Sequence, residues 1–268
     1  MDQSAFYNRF SGLERLYGKG ALEKFQAAHI AVIGVGGVGS WSAEALARTG
    51  IGKITLIDLD EVCITNTNRQ LHAIEGEIGR TKASATADRL QKINPDAEIH
   101  ALEDFFLPSN ADSILDLGFD VVIDGIDKIS HKCELLIRCK ERNIPLIISG
   151  GAGGKTDPGS ITISDINNTT NDALLKQVRR KLRREFGFPH EHDRTPWGFR
   201  AVYSTQNPVF PWKDGSVRDS PEPSSDLEMN CENGYGAASF VTGTFGFAAA
   251  AEAAAEVLRT NRVRSTNQ

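Results

Sequence analysis

Between Asp58 and Lys82 the chain of 268 residues gathers the side chains of a phosphate site. Asp58-Leu59-Asp60 is followed by Asn66-Thr67-Asn68-Arg69-Gln70, and Lys82 opens a predicted helix over 81–93 that Asn94-Pro95 closes. A lysine is a compact point charge and an arginine a planar fork, so Lys82 and Arg69 together suit an anion more highly charged than backbone N–H groups alone can hold. Upstream, Gly34, Gly36, Gly37 and Gly39 lead into Ser40, a glycine turn that lets the backbone approach a phosphate. Downstream, Asp127 follows an apolar strand that already ends in Asp124, and a carboxylate there suits Mg²⁺, a hard cation that shares its shell with phosphate oxygens. The competing role for Asp127 is to cap the helix beginning near Lys128. In a nicotinamide enzyme Asp58 would hold the adenosine ribose, but Asn66, Arg69, Lys82 and Asp127 would then lack a purpose, and the set favours ATP.

The elements that must carry these groups are legible in the hydrophobic pattern. A strand over 30–33, the glycine turn, a helix through Ala47, a strand over 54–57 and then Asp58 make a βαβ nucleotide unit. Further strands are expected at 98–101, 121–124, 145–148 and 160–164, with helices over 110–117 and 129–143 between them. The fold class is therefore α/β: a Rossmann-like, mostly parallel sheet with helices on both faces, extended by a mixed C-terminal portion. One domain over 1–268 is expected, with N-terminal helices (1–29), a nucleotide-binding half (30–165) and a substrate and dimer half (166–268). Ser149-Gly150-Gly151-Ala152-Gly153-Gly154 reads equally as a close-approach segment and as a flexible loop.

Outside this unit the signals are weaker. Two short helices are expected over 4–28, where Arg9 and Arg15 by themselves read as a solvated face. The segment 174–186 carries net +5 in a chain of net −5. Its Lys176, Arg179, Arg180, Arg183 and Arg184 recur at spacings of three and four, opposite Leu175, Val178, Leu182 and Phe186. A basic face with so little interleaved acid points to an RNA backbone. Residues 187–229 are irregular, with a strand or two around Trp197, Phe199, Tyr203 and Phe210. Cys231 is a nucleophile candidate by position, against packing as the ordinary role of a lone cysteine. The run 237–251 is too short to span a membrane and reads as a buried helix packed through small residues, a candidate subunit interface. The four cysteines form no C-x-x-C pair and no apolar leader follows the N-terminus, so reduced thiols and a cytoplasmic location are expected.

On Gly34-x-Gly36-Gly37-x-Gly39-Ser40, Asp58-x-Asp60, Asn66-x-x-Arg69-Gln70, Lys82 and Asp127, the chain resembles the ThiF/MoeB adenylating family, relatives of the ubiquitin-activating enzymes. The resemblance implies that these positions bind ATP and Mg²⁺. It also implies a homodimer in which Arg9, within Tyr7-Asn8-Arg9, reaches into the partner subunit's site. Two departures narrow it: the zinc-binding C-x-x-C pairs are missing, and Asp127 is followed by Lys128 rather than Asn. Both fit the branch that acts on tRNA carrying threonylcarbamoyladenosine, a resemblance that continues through Thr65–Gln70, Gly150–Gly154, Cys231 and Gly243–Phe247. That branch implies adenylation of the nucleoside's carboxylate followed by cyclisation with loss of water. A monovalent cation beside the nucleotide and a cysteine desulfurase or sulfur-acceptor partner are further associations of the branch that no residue here encodes. The alternative within the family is an activator of a ubiquitin-like sulfur carrier. A non-enzymatic alternative is a nucleotide-dependent platform in a sulfur-transfer complex.

Overall fold

Strands apolar at every position belong in a sheet covered on both faces. The computed structural model, which describes residues 3–190, 192–223 and 235–259, has such a sheet. Helices α1 (Gln3–Tyr17) and α2 (Ala21–Ala27) precede β1 (His29–Ile33), α3 (Gly39–Arg48) and β2 (Lys53–Ile57). Next come α4 (Lys82–Ile93), β3 (Glu98–Leu102), α5 (Ala111–Leu115), β4 (Val121–Asp124), α6 (Ile129–Glu141) and β5 (Leu146–Ser149). They are followed by β6 (Ile161–Asp165), α7 (Ala173–Phe186), β7 (Arg200–Ser204), a small hairpin of β8 (Phe210–Pro211) and β9 (Val217–Arg218), and α8 (Ser239–Arg259).

Among the described residues seven strands form one sheet in the order β3-β2-β1-β4-β5-β7-β6, parallel except where β6 meets β7. The order reverses between β1 and β4, so a crevice opens beyond their carboxyl ends, the place where open α/β sheets take ligands. The strand expected at 160–164 does extend the sheet, but from its edge, with β7 between it and β5. The reason is connectivity: only a 3₁₀ turn (Pro158–Ser160) lies between β5 and β6, too little for a parallel crossover, whereas α7 supplies one before β7.

Successive residues face opposite cores. Ile30, Val32, Val121, Ile123, Ile147 and Val202 pack with α1–α4 and α8, while Ala31, Ile33, Val122, Leu146, Ile148 and Ala201 pack with α5–α7. Local chemistry sets the helix ends that matter for the site. Thr81 caps α4 by accepting from the Ser84 N–H at 3.4 Å. Asp172 caps α7 by accepting from the Leu175 N–H at 2.8 Å, and Gly187 ends that helix at φ +67°. The expected buried C-terminal helix is α8, which lies along α3: a Cβ at Gly246 would stand 2.6 Å from the Trp41 Cβ. Among the described residues no helix is long and apolar enough to cross a membrane.

Candidate active site

The glycine turn is required by sterics. Gly34 has φ +86°, and a Cβ there would meet the Gly125 backbone at 2.7 Å; a Cβ at Gly39 would stand 1.9 Å from the Gly34 carbonyl oxygen. No side chain caps α3, which leaves the positive end of its dipole facing the turn, although the Ser40 N–H already donates to the Gly36 carbonyl at 3.1 Å. Gly36 and Gly37 line a cavity of about 500 Å³ at the crevice. Gly39 and Ser40 build the turn instead: Ser40 is fully buried and its hydroxyl accepts from the Leu71 N–H at 3.3 Å.

The same cavity is lined by Gly34, Asp58, Asp60, Asn66, Arg69, Gln70, Lys82 and Asp127. Asp58 accepts from the Val35 N–H at 2.6 Å and the Asp60 N–H at 2.9 Å, which locks the end of β2 to the turn. Burial raises its carboxyl pKa, against the pull of the Lys82 ammonium. Lys82 is 7% exposed and donates to Asp60 Oδ2 at 2.7 Å, so Asp60 aims the lysine. Asn66 works on the backbone, accepting from the Cys63 N–H at 3.0 Å. The Arg69 guanidinium donates to the Thr65 carbonyl at 2.9 Å and Asn68 Oδ1 at 3.0 Å. Its own carbonyl accepts from Trp41 Nε1–H at 3.1 Å and the Thr242 hydroxyl at 2.9 Å, which couples α3 and α8 to the cation.

Asp127 stands exposed at the opening, just beyond β4. No side chain caps α6, so the capping role weighed for Asp127 has no bond behind it. Among the described residues no cluster of three His, Cys, Asp or Glu side chains could cage a metal alone. A single carboxylate beside a phosphate pocket still fits Mg²⁺, which keeps several waters and takes one or two carboxylates with substrate phosphates. The neighbouring Asp124 serves the scaffold instead, since it is fully buried and paired with Lys132 at 2.7 Å.

Gly150–Gly154 is pinned close to the cavity. Gly150 donates to the Val202 carbonyl at 2.8 Å, Gly151 to Asp172 Oδ2 at 2.9 Å and Gly154 to the Gly236 carbonyl at 2.8 Å. Asp172 and Lys155, which also line the cavity, escape a reading of spacing. Asp172 does carry a local signal, an acid one residue before an amphipathic run. Lys155 Nζ donates to the carbonyls of Asn171 and Gln206, and burial lowers its pKa.

Other candidates lie apart. Arg9 is exposed on α1 and is not among the residues lining this cavity. The basic residues of α7 divide: Lys176, Arg180 and Arg184 are exposed, whereas Arg179 and Arg183 turn inward. Arg179 donates to the Ile166 carbonyl at 3.2 Å and to the Thr169 hydroxyl; Arg183 donates to the Pro189 carbonyl and to Asn167 Oδ1, each at 2.9 Å. The expectation that all five share one solvent face is thus corrected. Cys231 lies outside the described residues.

A model of the ThiF family matches residues 7–268. The chain belongs to the ThiF family. One family relative, tRNA threonylcarbamoyladenosine dehydratase of Escherichia coli (strain K12), is 44% identical over 250 residues, 93% of this chain and 93% of that protein. The protein of the same description from Haemophilus influenzae is 43% identical over 254 residues, 95% of each chain. A solved structure of the E. coli dehydratase, TcdA, in complex with ATP matches with a TM-score of 0.85 at 41% identity, covering 96% of this chain and 97% of that one. ThiF membership thus runs past the nucleotide-binding half into the segment bearing α7 and α8.

Proposed function

We propose that this ThiF-family chain is an ATP-dependent enzyme that dehydrates threonylcarbamoyladenosine beside the tRNA anticodon. The observation that carries the proposal is the convergence of the Gly34–Gly37 turn, Arg69, Lys82 and Asp127 on one cavity. The turn and the open end of α3 receive phosphates, and Lys82 and Arg69 offset the triphosphate charge. Mg²⁺ held by Asp127 and phosphate oxygens would stabilise the charge that gathers on departing pyrophosphate.

The nucleoside's carboxylate is already ionised at neutral pH, so it needs no base to attack. One of its oxygens bonds to the α-phosphorus, the bond to the β-phosphate oxygen breaks, and pyrophosphate leaves. The carbamoyl group next to the resulting acyl-adenylate then attacks the acyl carbon, AMP leaves and a proton is released, a net loss of water. Ring closure within one nucleoside profits from high effective molarity, so the protein's share is alignment and charge neutralisation.

The RNA backbone is assigned to Lys176, Arg180 and Arg184, the exposed cations of α7. A homodimer is assigned from Arg9, which is exposed and does not line its own cavity, and from the exposed Phe240 and Phe247 on α8. A cytoplasmic location follows from the two substrates, ATP and tRNA.

The deciding experiment incubates the protein with ATP, Mg²⁺ and tRNA bearing threonylcarbamoyladenosine, digests the RNA and weighs the nucleoside by mass spectrometry. ATP-dependent loss of one water is expected. No loss, with pyrophosphate exchange on a ubiquitin-like carrier protein instead, would keep the ATP site and replace the substrate.

A further inference from the structure

Gln70 lines the nucleotide cavity with only 7% of its surface exposed, and the side chains behind it determine which end of its amide faces inward. Its Oε1 lies 3.0 Å from Nε2 of His72, a residue 3% exposed. On the other side of that ring, Nδ1 lies 3.2 Å from the Thr86 hydroxyl on α4. A carbonyl oxygen only accepts, so Nε2 carries the hydrogen; Nδ1 of the neutral ring must then accept, and the Thr86 hydroxyl donates. Burial, reinforced by the Lys82 ammonium, pushes the imidazole down to about 4, so the ring is neutral under working conditions.

This chain of donors spends Gln70 Oε1 and leaves Nε2 as the end without a hydrogen bond among the described residues. A Cβ built on Gly36 would lie 3.9 Å from that nitrogen, so the amide stands over the glycine turn. We infer that His72, held in turn by Thr86, is a positioning residue that fixes Gln70 as a hydrogen-bond donor to a phosphate oxygen of the bound nucleotide. The reversed amide would set a carbonyl oxygen against that phosphate and leave two donors, its own amide N–H and the His72 Nε2–H, facing each other behind it. The inference rests on the nucleotide reading of the cavity and is independent of which RNA or protein supplies the carboxylate.

Two measurements on the full chain test it. Long-range ¹H–¹⁵N correlation on histidine-labelled protein, with His72 assigned by its loss in His72→Gln, should show the Nε2–H tautomer, persisting from about pH 8 to about pH 5. The Nδ1–H tautomer would overturn the inference. Thr86→Val, a milder change than any at His72, should raise the KM for ATP about tenfold. The kcat at saturating ATP and the KM for modified tRNA should stay within about twofold, and Thr86→Ser should restore the ATP KM. An unchanged KM for ATP, or equal losses toward both substrates, would sink the positioning role. Calorimetric ATP affinity of the same variants reads the effect without RNA, so a wrong RNA substrate and a wrong role for His72 give different results.

Discussion

Lys132 Nζ sits 2.7 Å from Asp124 Oδ2 with both side chains wholly shut off from solvent, and it also donates to the Ser149 carbonyl at 3.0 Å. Asp124 Oδ1 accepts from the Ile126 N–H at 2.9 Å. One buried pair therefore ties the carboxyl ends of β4 and β5, from which Asp127 and the Gly150–Gly154 segment project.

Lys132→Met should cost about 3–5 kcal/mol in urea unfolding, because it strands a buried carboxylate, and adding Asp124→Asn should recover much of it. Burial already raises the Asp124 pKa, with Lys132 opposing. Without the lysine the folded pKa climbs further, so the variant's deficit should be greatest near neutrality and shrink as the pH falls through the unfolded-state value of ~3.9, below which the acid becomes neutral in both states. A deficit that grew on acidification would refute this account.

Asp127 makes no hydrogen bond or ion pair among the described residues, so its removal tests chemistry apart from folding. Asp127→Asn should leave unfolding free energy within ~0.5 kcal/mol of the parent and cut pyrophosphate release by about 10²–10³. Full turnover in that variant would remove Asp127 from the site.

On α7, reversing Lys176, Arg180 and Arg184 to Glu should weaken tRNA binding and flatten its log–log salt dependence by roughly 0.7–0.9 for each lost phosphate contact, with ATP affinity unchanged. Arg179→Glu should instead lower the melting temperature, since that guanidinium ties α7 to the Ile166 carbonyl and Thr169. Filter binding across a salt series separates the two classes.

The exposed Cys63 thiol accepts from the Thr65 hydroxyl at 3.2 Å, and that bond, with neighbouring backbone N–H groups, lowers its pKa. Burial pushes Cys133 up to about 11 and Cys139 up to about 12. In a Cys231→Ser background, iodoacetamide near pH ~7.5 should therefore label Cys63 first, as peptide mass spectrometry would show. Earlier labelling of Cys133 or Cys139 would contradict their burial.

The glycine turn, Arg69 and Lys82 were legible because each lies within a few residues of a strand or helix end whose periodicity is strong. Asp127 was legible as a group at a strand end, while its alternative as a cap could be judged only once α6 was seen to begin without one. What spacing cannot reveal is partnership at long range. Asp172 reaches back 21 positions to the Gly151 N–H, and Lys155 spans 51 to the Gln206 carbonyl. Helical periodicity put five cations on one side of α7, but it cannot tell that Arg179 and Arg183 bend down to the Ile166 and Pro189 carbonyls and the Thr169 and Asn167 side chains beside the helix. Sheet order is illegible for the same reason: whether β6 or β7 neighbours β5 depends on the crossover, not on either strand's composition.

The Thr242 hydroxyl that braces the Arg69 carbonyl lies 173 positions later in the chain, on the last described helix. During translation the glycine turn and its cation therefore leave the ribosome long before their brace exists. Affinity for nucleotide should arrive abruptly only once α8 has been made and docked, and until then the uncovered α3 face is a surface for chaperones to guard.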